Sequence, residues 1–327
     1  MIKFFRQSYA VQYVVVAILA IALWIPAFVW GKAMLDLEQP VTPLYNLIAG
    51  LLGASSILQH LVAFVLLVLE ALLFNAIMVK NQIVGKVSTM GLFVFILLMS
   101  LTRTQANFYP FALSVIFISL AIGNLFEVYQ ATNPELNVLK VGIFLALASM
   151  CYFHAFWLLL WVFIVLPMAK KGSIRLQLIP FVGFFSVYFL FFIGVYLFGN
   201  FKALMQGYAN YFTSLNFTVE GFNLRIILLL AGLVVPTLLM FLGSNNSNFE
   251  KTIAVRVKIS MTFILLVFAV LFLFMGGNVL MNGLIFIVLS VLVSYAFSYM
   301  GNTGWANLFM VVFMALVFAN LYYFKLL

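Results

Sequence analysis

Apolar runs of about 18 to 25 residues, separated by short polar gaps, repeat from one end of this chain to the other. A helix needs about 20 apolar residues to cross a hydrocarbon core of roughly 30 Å, so each run has the length of one crossing. The pattern predicts an all-α fold, a polytopic transmembrane helical bundle of about nine full spans plus a hairpin of two short helices. The spans fall at about 11–30, 58–79, 87–101, 109–128, 176–199, 223–242, 259–276, 279–299 and 305–324. Gly50, Gly53, Ser55 and Ser56 interrupt the run that precedes the second span, which predicts an interfacial helix over 44–57. The longest polar connections, 31–44, 200–222 and 243–258, are too short to enclose a core of their own. Residues 1–327 are therefore read as a single integral-membrane domain with an N-terminal half, 1–200, and a C-terminal helical half, 201–327. Lys3 and Arg6 before an apolar run resemble a signal sequence, but 11–30 is too long for the apolar region of one and predicts a retained first helix.

The stretch 141–166, about 26 residues long, is ambiguous in length and carries Cys151, Tyr152, Phe153 and His154 at its middle. Charge decides how to read it, because lysine and arginine concentrate on the cytoplasmic side of membrane segments. A single crossing divides the 16 basic residues eight against eight. A hairpin that returns to its starting side puts Lys3, Arg6, Lys80, Lys86, Lys140, Lys170, Lys171, Arg175, Lys251, Arg256 and Lys258 together. The hairpin is the predicted form, with arms of about 13 residues packed inside the bundle. The N-terminus is then cytoplasmic and the C-terminus external.

Composition narrows the function classes. The chain is 67% hydrophobic and 7% charged, with a net charge of +9. The basic residues flank spans as topogenic signals do, so nucleic acid is not an expected partner. The one cysteine, Cys151, can form no internal disulfide and belongs to no metal motif, and His60 and His154 lack zinc spacing. Phosphate-binding, dinucleotide-binding, nucleophile-elbow and HExxH motifs are all missing. No cofactor is expected apart from a divalent cation at Asp36 and Glu38. Membrane lipids, polyprenyl phosphate and other membrane proteins are the expected partners.

Few side chains remain as candidates. Glu70 lies in LVAFVLLVLEALLFNAIM, mid-span, where an ionised carboxylate costs on the order of 2.5 to 3.5 kcal/mol unless partnered. It reads either as a proton, cation or polar-substrate site, or as a hydrogen-bonded group cementing the bundle through Asn75, Asn124 or His154. Asp36 and Glu38, in KAMLDLEQP at the external mouth of the first span, suit a general base or oxygen ligands for a cation, and equally a solvated loop. Arg103, in TRTQANFYP, suits bidentate capture of phosphate, and also an interfacial anchor. Glu220 and Arg225 bracket a membrane boundary and suit either substrate orientation or a helix-end anchor. His154, at the hairpin apex, reads as a substrate-site histidine or as a hydrogen-bonded core residue.

The segment YPFALSVIFISLAIGNLFEVYQATNPELNVLKVGIFLALASMCYFHAFWLLLWVFIVLP resembles the mid-region of C-type integral-membrane glycosyltransferases. These share an external proline, a span ending in a polar cytoplasmic turn, and a pair of short helices with a polar break. The resemblance covers about 130 residues and implies a glycosyltransferase-like N-terminal half that takes a sugar from a polyprenyl-phosphate carrier. It implies catalytic acids in the first external loop, where this chain has Asp36 and Glu38. The chain departs from the pattern after Pro110, where Phe111 stands in place of an acid, and at the helix break, where Phe153 and His154 stand in place of a basic residue. As a whole the chain also resembles a family of polytopic inner-membrane proteins found in Bacteroidetes, a likeness that implies a role in the cell envelope. Two further readings stay open beside the transferase: a non-catalytic scaffold subunit of an envelope-assembly complex, and a proton-coupled lipid or solute carrier built round Glu70.

Overall fold

The computed structural model describes residues 1–30, 42–52, 56–101, 108–169, 173–199, 201–213, 253–274, 283–300 and 303–324. Among them every regular element is helical. They are α1 (Ile2–Phe5), α2 (Ala10–Trp30), α3 (Pro43–Leu52), α4 (Ser56–Lys80), α5 (Met90–Met99), α6 (Pro110–Val128) and α7 (Pro134–Cys151), followed by α8 (Leu158–Val165), α9 (Ile174–Phe198), α10 (Phe201–Thr213), α11 (Ile253–Phe274), α12 (Gly283–Tyr299) and α13 (Thr303–Ala319). The sequence-predicted span at 223–242 lies outside the described residues.

Local chemistry sets many of these boundaries. Pro43, Pro110 and Pro134 each open a helix, at a position where the missing N–H has no helical partner to lose. The Ser173 hydroxyl caps α9 by accepting the Leu176 N–H at 3.3 Å. In the other direction, Gln82 follows α4 with φ of 58°, the left-handed turn that lets the chain reverse before α5.

Contacts between elements give the bundle two ends. At the first end, Arg6 donates to the carbonyls of Phe297 and Met300, Lys80 pairs with Glu127, Lys258 donates to the Asn81 carbonyl, and the Ile2 N–H donates to Asn307. At the second end, Trp24 donates to Ser100, Phe28 packs on His60, Tyr45 donates to the Phe108 carbonyl, and Asn320 donates to the Leu101 carbonyl. All the described lysines and arginines except Lys202 lie at or toward the first end, the segregation that the hairpin reading requires.

That reading has a geometric counterpart. Glu135 pairs with Arg175 at 3.6 Å, Gly142 faces Pro180, and Ser149 shares a 2.9 Å hydrogen bond with Tyr188. The residue offset stays nearly constant along these three contacts, so α7 and α9 run parallel and the chain returns between them. The break falls at Tyr152, where the backbone is extended. The arms, however, are not the short helices expected. Helix α7 starts at Pro134, inside the apparently polar connection, and its 18 residues reach about 27 Å. The return arm combines 3-10 turns at Phe153–Trp157 and Leu166–Ala169 with the eight residues of α8. A 3-10 residue rises about 2.0 Å against 1.5 Å in an α-helix, so this arm reaches about 30 Å.

A second difference concerns 87–101, predicted as a span. Its helix, α5, has only ten residues, about 15 Å, and all ten are buried. It packs against α4 and α12, and α12 is itself buried from Gly283 to Phe297. A helix apolar on every side belongs in a protein interior as readily as in lipid. By contrast α9 exposes Ile174, Leu178, Val182, Phe185 and Phe189 along one face, at the spacing of a lipid-facing stripe.

Arg6 locks the N-terminal segment to the far end of the sequence. Its guanidinium makes bonds of 3.2 and 2.8 Å to the Phe297 carbonyl and 2.8 Å to that of Met300, satisfying groups at the C-terminus of α12. Burial pulls its pKa below the ordinary arginine value. Arg6→Ala is expected to cost on the order of 2 kcal/mol, since bonds from a charged donor are lost and carbonyls are left unmet. Thermal unfolding of the purified chain in detergent measures this, and Arg6→Lys should recover part of the loss.

Candidate functional site

Helix α4 turns one stripe inward: Ala63, Leu67, Glu70, Ala71, Phe74, Asn75 and Met78 are buried. Their spacing of three and four residues is that of a single helix face, and it carries Glu70 into the bundle rather than toward lipid. Glu70 is 2% exposed, and its Oε1 oxygen makes no hydrogen bond. The partners expected for it are engaged elsewhere. Asn75 donates from Nδ2 to the Ser88 carbonyl and accepts the Leu92 N–H on Oδ1, both at 3.2 Å. Asn124 donates to the Leu120 carbonyl within α6. Among the described residues the ion pairs are Lys80 with Glu127 and Arg175 with Glu135, and neither reaches Glu70.

Among the described residues, Tyr109 lies within the electrostatic reach of Glu70. Tyr109 precedes Pro110, and the proline ring forces it into extended backbone, φ −140° and ψ 164°. The ring is thereby carried inward at the start of α6, where it is 4% exposed, and its hydroxyl makes no hydrogen bond. From Tyr109 a file of rings continues along the second end. Tyr109 stacks on Phe111 at 6.3 Å, Phe111 meets Tyr152 edge-on at 5.5 Å, and Tyr152 stacks on His154 at 5.0 Å. Glu70 and His154 thus stand at opposite ends of one buried aromatic file and do not pair.

Asp36, Glu38, Arg103, Glu220 and Arg225 lie outside the described residues. The residues that flank two of those stretches are described. Tyr45, just after 31–41, stacks on Phe108, just after 102–107, at 5.4 Å, and donates to its carbonyl at 3.3 Å. Among the described residues no group of three histidine, cysteine, aspartate or glutamate side chains could hold a metal ion.

Seven described helices are long and apolar enough to cross a membrane, namely α2, α4, α6, α7, α9, α11 and the 304–322 helix that contains most of α13. They define a multi-pass membrane protein. Compared with known proteins, the chain matches no family model, no curated protein and no solved structure.

Chemically, a carboxyl and a phenol in an apolar interior can hold and transfer protons or grip a polar group, and their two or three oxygens are too few to cage a metal ion. Tyr109 and Tyr152 escape a reading that weighs charges first. Their signal was present in the sequence: Tyr109 is the residue before a helix-opening proline, and Tyr152 stands at a break in an apolar run.

Proposed function

We propose that the protein acts in cell-envelope biogenesis in a bacterial inner membrane, as a glycosyltransferase-like protein that handles a polyprenyl-phosphate-linked or other lipid-linked substrate at the outer leaflet. In this reading the first end of the bundle faces the cytoplasm. The crowding of lysine and arginine there supports it, because basic residues resist translocation. The second end then faces outward. The observation that supports the reading is the Tyr45–Phe108 contact, which joins two described residues that follow, in sequence, the stretches bearing Asp36 and Glu38 and bearing Arg103.

Asp36, with Glu38 assisting directly or through a divalent cation, deprotonates an acceptor hydroxyl. Arg103 holds the departing polyprenyl phosphate by paired N–H bonds, with Glu220 and Arg225 orienting the substrate. The test is complementation of a null strain by the Asp36→Asn, Glu38→Gln double variant. Loss of complementation with normal membrane levels is the expected outcome. Full complementation would remove the catalytic role. A second reading, a scaffold subunit of an envelope-assembly complex, draws support from the exposed apolar face of α9.

A further inference from the structure

We propose that Glu70, with Tyr109 beside it, is a proton-binding site within the bundle, loaded and unloaded from the second end. This goes beyond the transferase reading and stands whether or not Asp36 and Glu38 are catalytic.

The first ground is that, among the described residues, the elements packed on Glu70 bring no compensating charge to it. Helix α5 presents ten apolar or small residues and no titratable group. Helix α2 carries no acid and no base in Ala10–Trp30. On α6 the acid is Glu127, which Lys80 already holds at 2.6 Å, ten residues and about 15 Å along α4 from Glu70. Among the described residues Tyr109 is left as the titratable group within reach, and it is neutral. A carboxyl enclosed in such surroundings, with an oxygen that no donor reaches, is stable when it carries its own proton.

The second ground is coordination chemistry. Calcium takes six to eight oxygens and magnesium six in near-octahedral array, whereas one carboxyl and one phenol supply two or three. The ligand that fits is therefore the hydrogen ion.

The third ground is the asymmetry along α4. Toward the first end, Glu70 is followed on the inner stripe by Ala71, Phe74, Asn75 and Met78, and both polar ends of the Asn75 amide are already bonded. Among the described residues of that stripe none relays a proton. Toward the second end stands the Tyr109 hydroxyl, itself free of any bond and able both to donate and to accept. Uptake converts the Glu70 carboxylate and a hydronium ion to a carboxylic acid and water, and release reverses it.

The experiment is infrared spectroscopy of the full chain in lipid bilayers as pH is stepped through neutrality, with glutamate carboxyls labelled by carbon-13 in a parallel sample. A protonated-carboxyl stretch is expected at neutral pH. It should shift on glutamate labelling and on deuteration, disappear in Glu70→Gln and change frequency in Tyr109→Phe. The labelled wild-type chain serves as the readout even if Glu70→Gln fails to fold. The proposal is overturned if no protonated glutamate signal exists at neutral pH, if the signal persists in folded Glu70→Gln, or if sodium or potassium shifts a carboxylate band assigned to Glu70. Because the readout is protonation and not complementation, its failure is separable from that of the transferase reading.

Discussion

Replacing Gly142 with alanine is expected to lower the unfolding midpoint of the purified chain and drive part of it into aggregates, while Gly194→Ala leaves stability unchanged or slightly raised. Both substitutions gain helix propensity of up to about 1 kcal/mol. They differ in what the new methyl meets. At Gly142 it would overlap the Pro180 carbonyl of the parallel helix, whereas at Gly194 nothing lies within 4 Å. Gly183 repeats the arrangement in reverse, since a methyl there would press on the Leu139 carbonyl at 2.6 Å. Helices that associate in lipid do so largely through such backbone approaches, because the surrounding tails are as apolar as the side chains. Forcing α7 and α9 apart costs about 1 to 3 kcal/mol in packing, which outweighs the propensity gain. It also stretches the Ser149–Tyr188 bond on the same interface. Valine at 142 should be worse than alanine. Differential scanning fluorimetry and size-exclusion chromatography on the three variants settle the order.

Asn75→Leu is the second substitution expected to be severe. Leucine has the same branched outline and number of side-chain heavy atoms as asparagine, so the loss is chiefly of hydrogen bonds. Two groups are orphaned together: the Ser88 carbonyl and the Leu92 N–H, the latter among the first N–H groups of α5 that have no partner in their own helix. Hydrogen bonds between membrane helices average only about 0.6 kcal/mol, but both groups are buried and lose their partner at once, which raises the cost to about 2 to 5 kcal/mol. The damage should spread, because Ser88 and Thr89 also bond the Phe5 carbonyl and so hold the N-terminal segment against α5. Earlier proteolysis within 81–89, together with a lower unfolding midpoint, is the expected result. Unchanged values for both would show that Asn75 is dispensable.

How far the fold is legible in the sequence depends on what each signal measures. Hydropathy finds apolar runs and so locates nearly every described helix, but it cannot tell lipid from protein as the neighbour. That is why α5 reads as a span although all its residues are buried. Charge placement resolves what hydropathy leaves ambiguous, since the basic residues at the first end imply the return between α7 and α9. Helix type stays hidden: nothing in Phe153–Trp157 announces the 3-10 geometry that lets a short segment reach across. At the site, Glu70 is conspicuous as an acid in an apolar run. Its neighbour is not, because Tyr109 lies 39 positions away and is brought close only by the packing of α4 against α6.

The α5–α12 pair has a bearing on how the molecule is made. Two segments that never meet lipid in the finished protein are separated by nearly two hundred residues of intervening chain, so α5 must wait in the bilayer until its permanent neighbour has been synthesised. Ties from Ile2 to Asn307 and from Tyr322 to the Ala22 carbonyl close the ring in the same late stage. The enclosure of α5 is therefore complete only after α12 has been made, and a nascent chain stalled before α12 is expected to leave a short greasy rod for insertases or quality-control proteases to find.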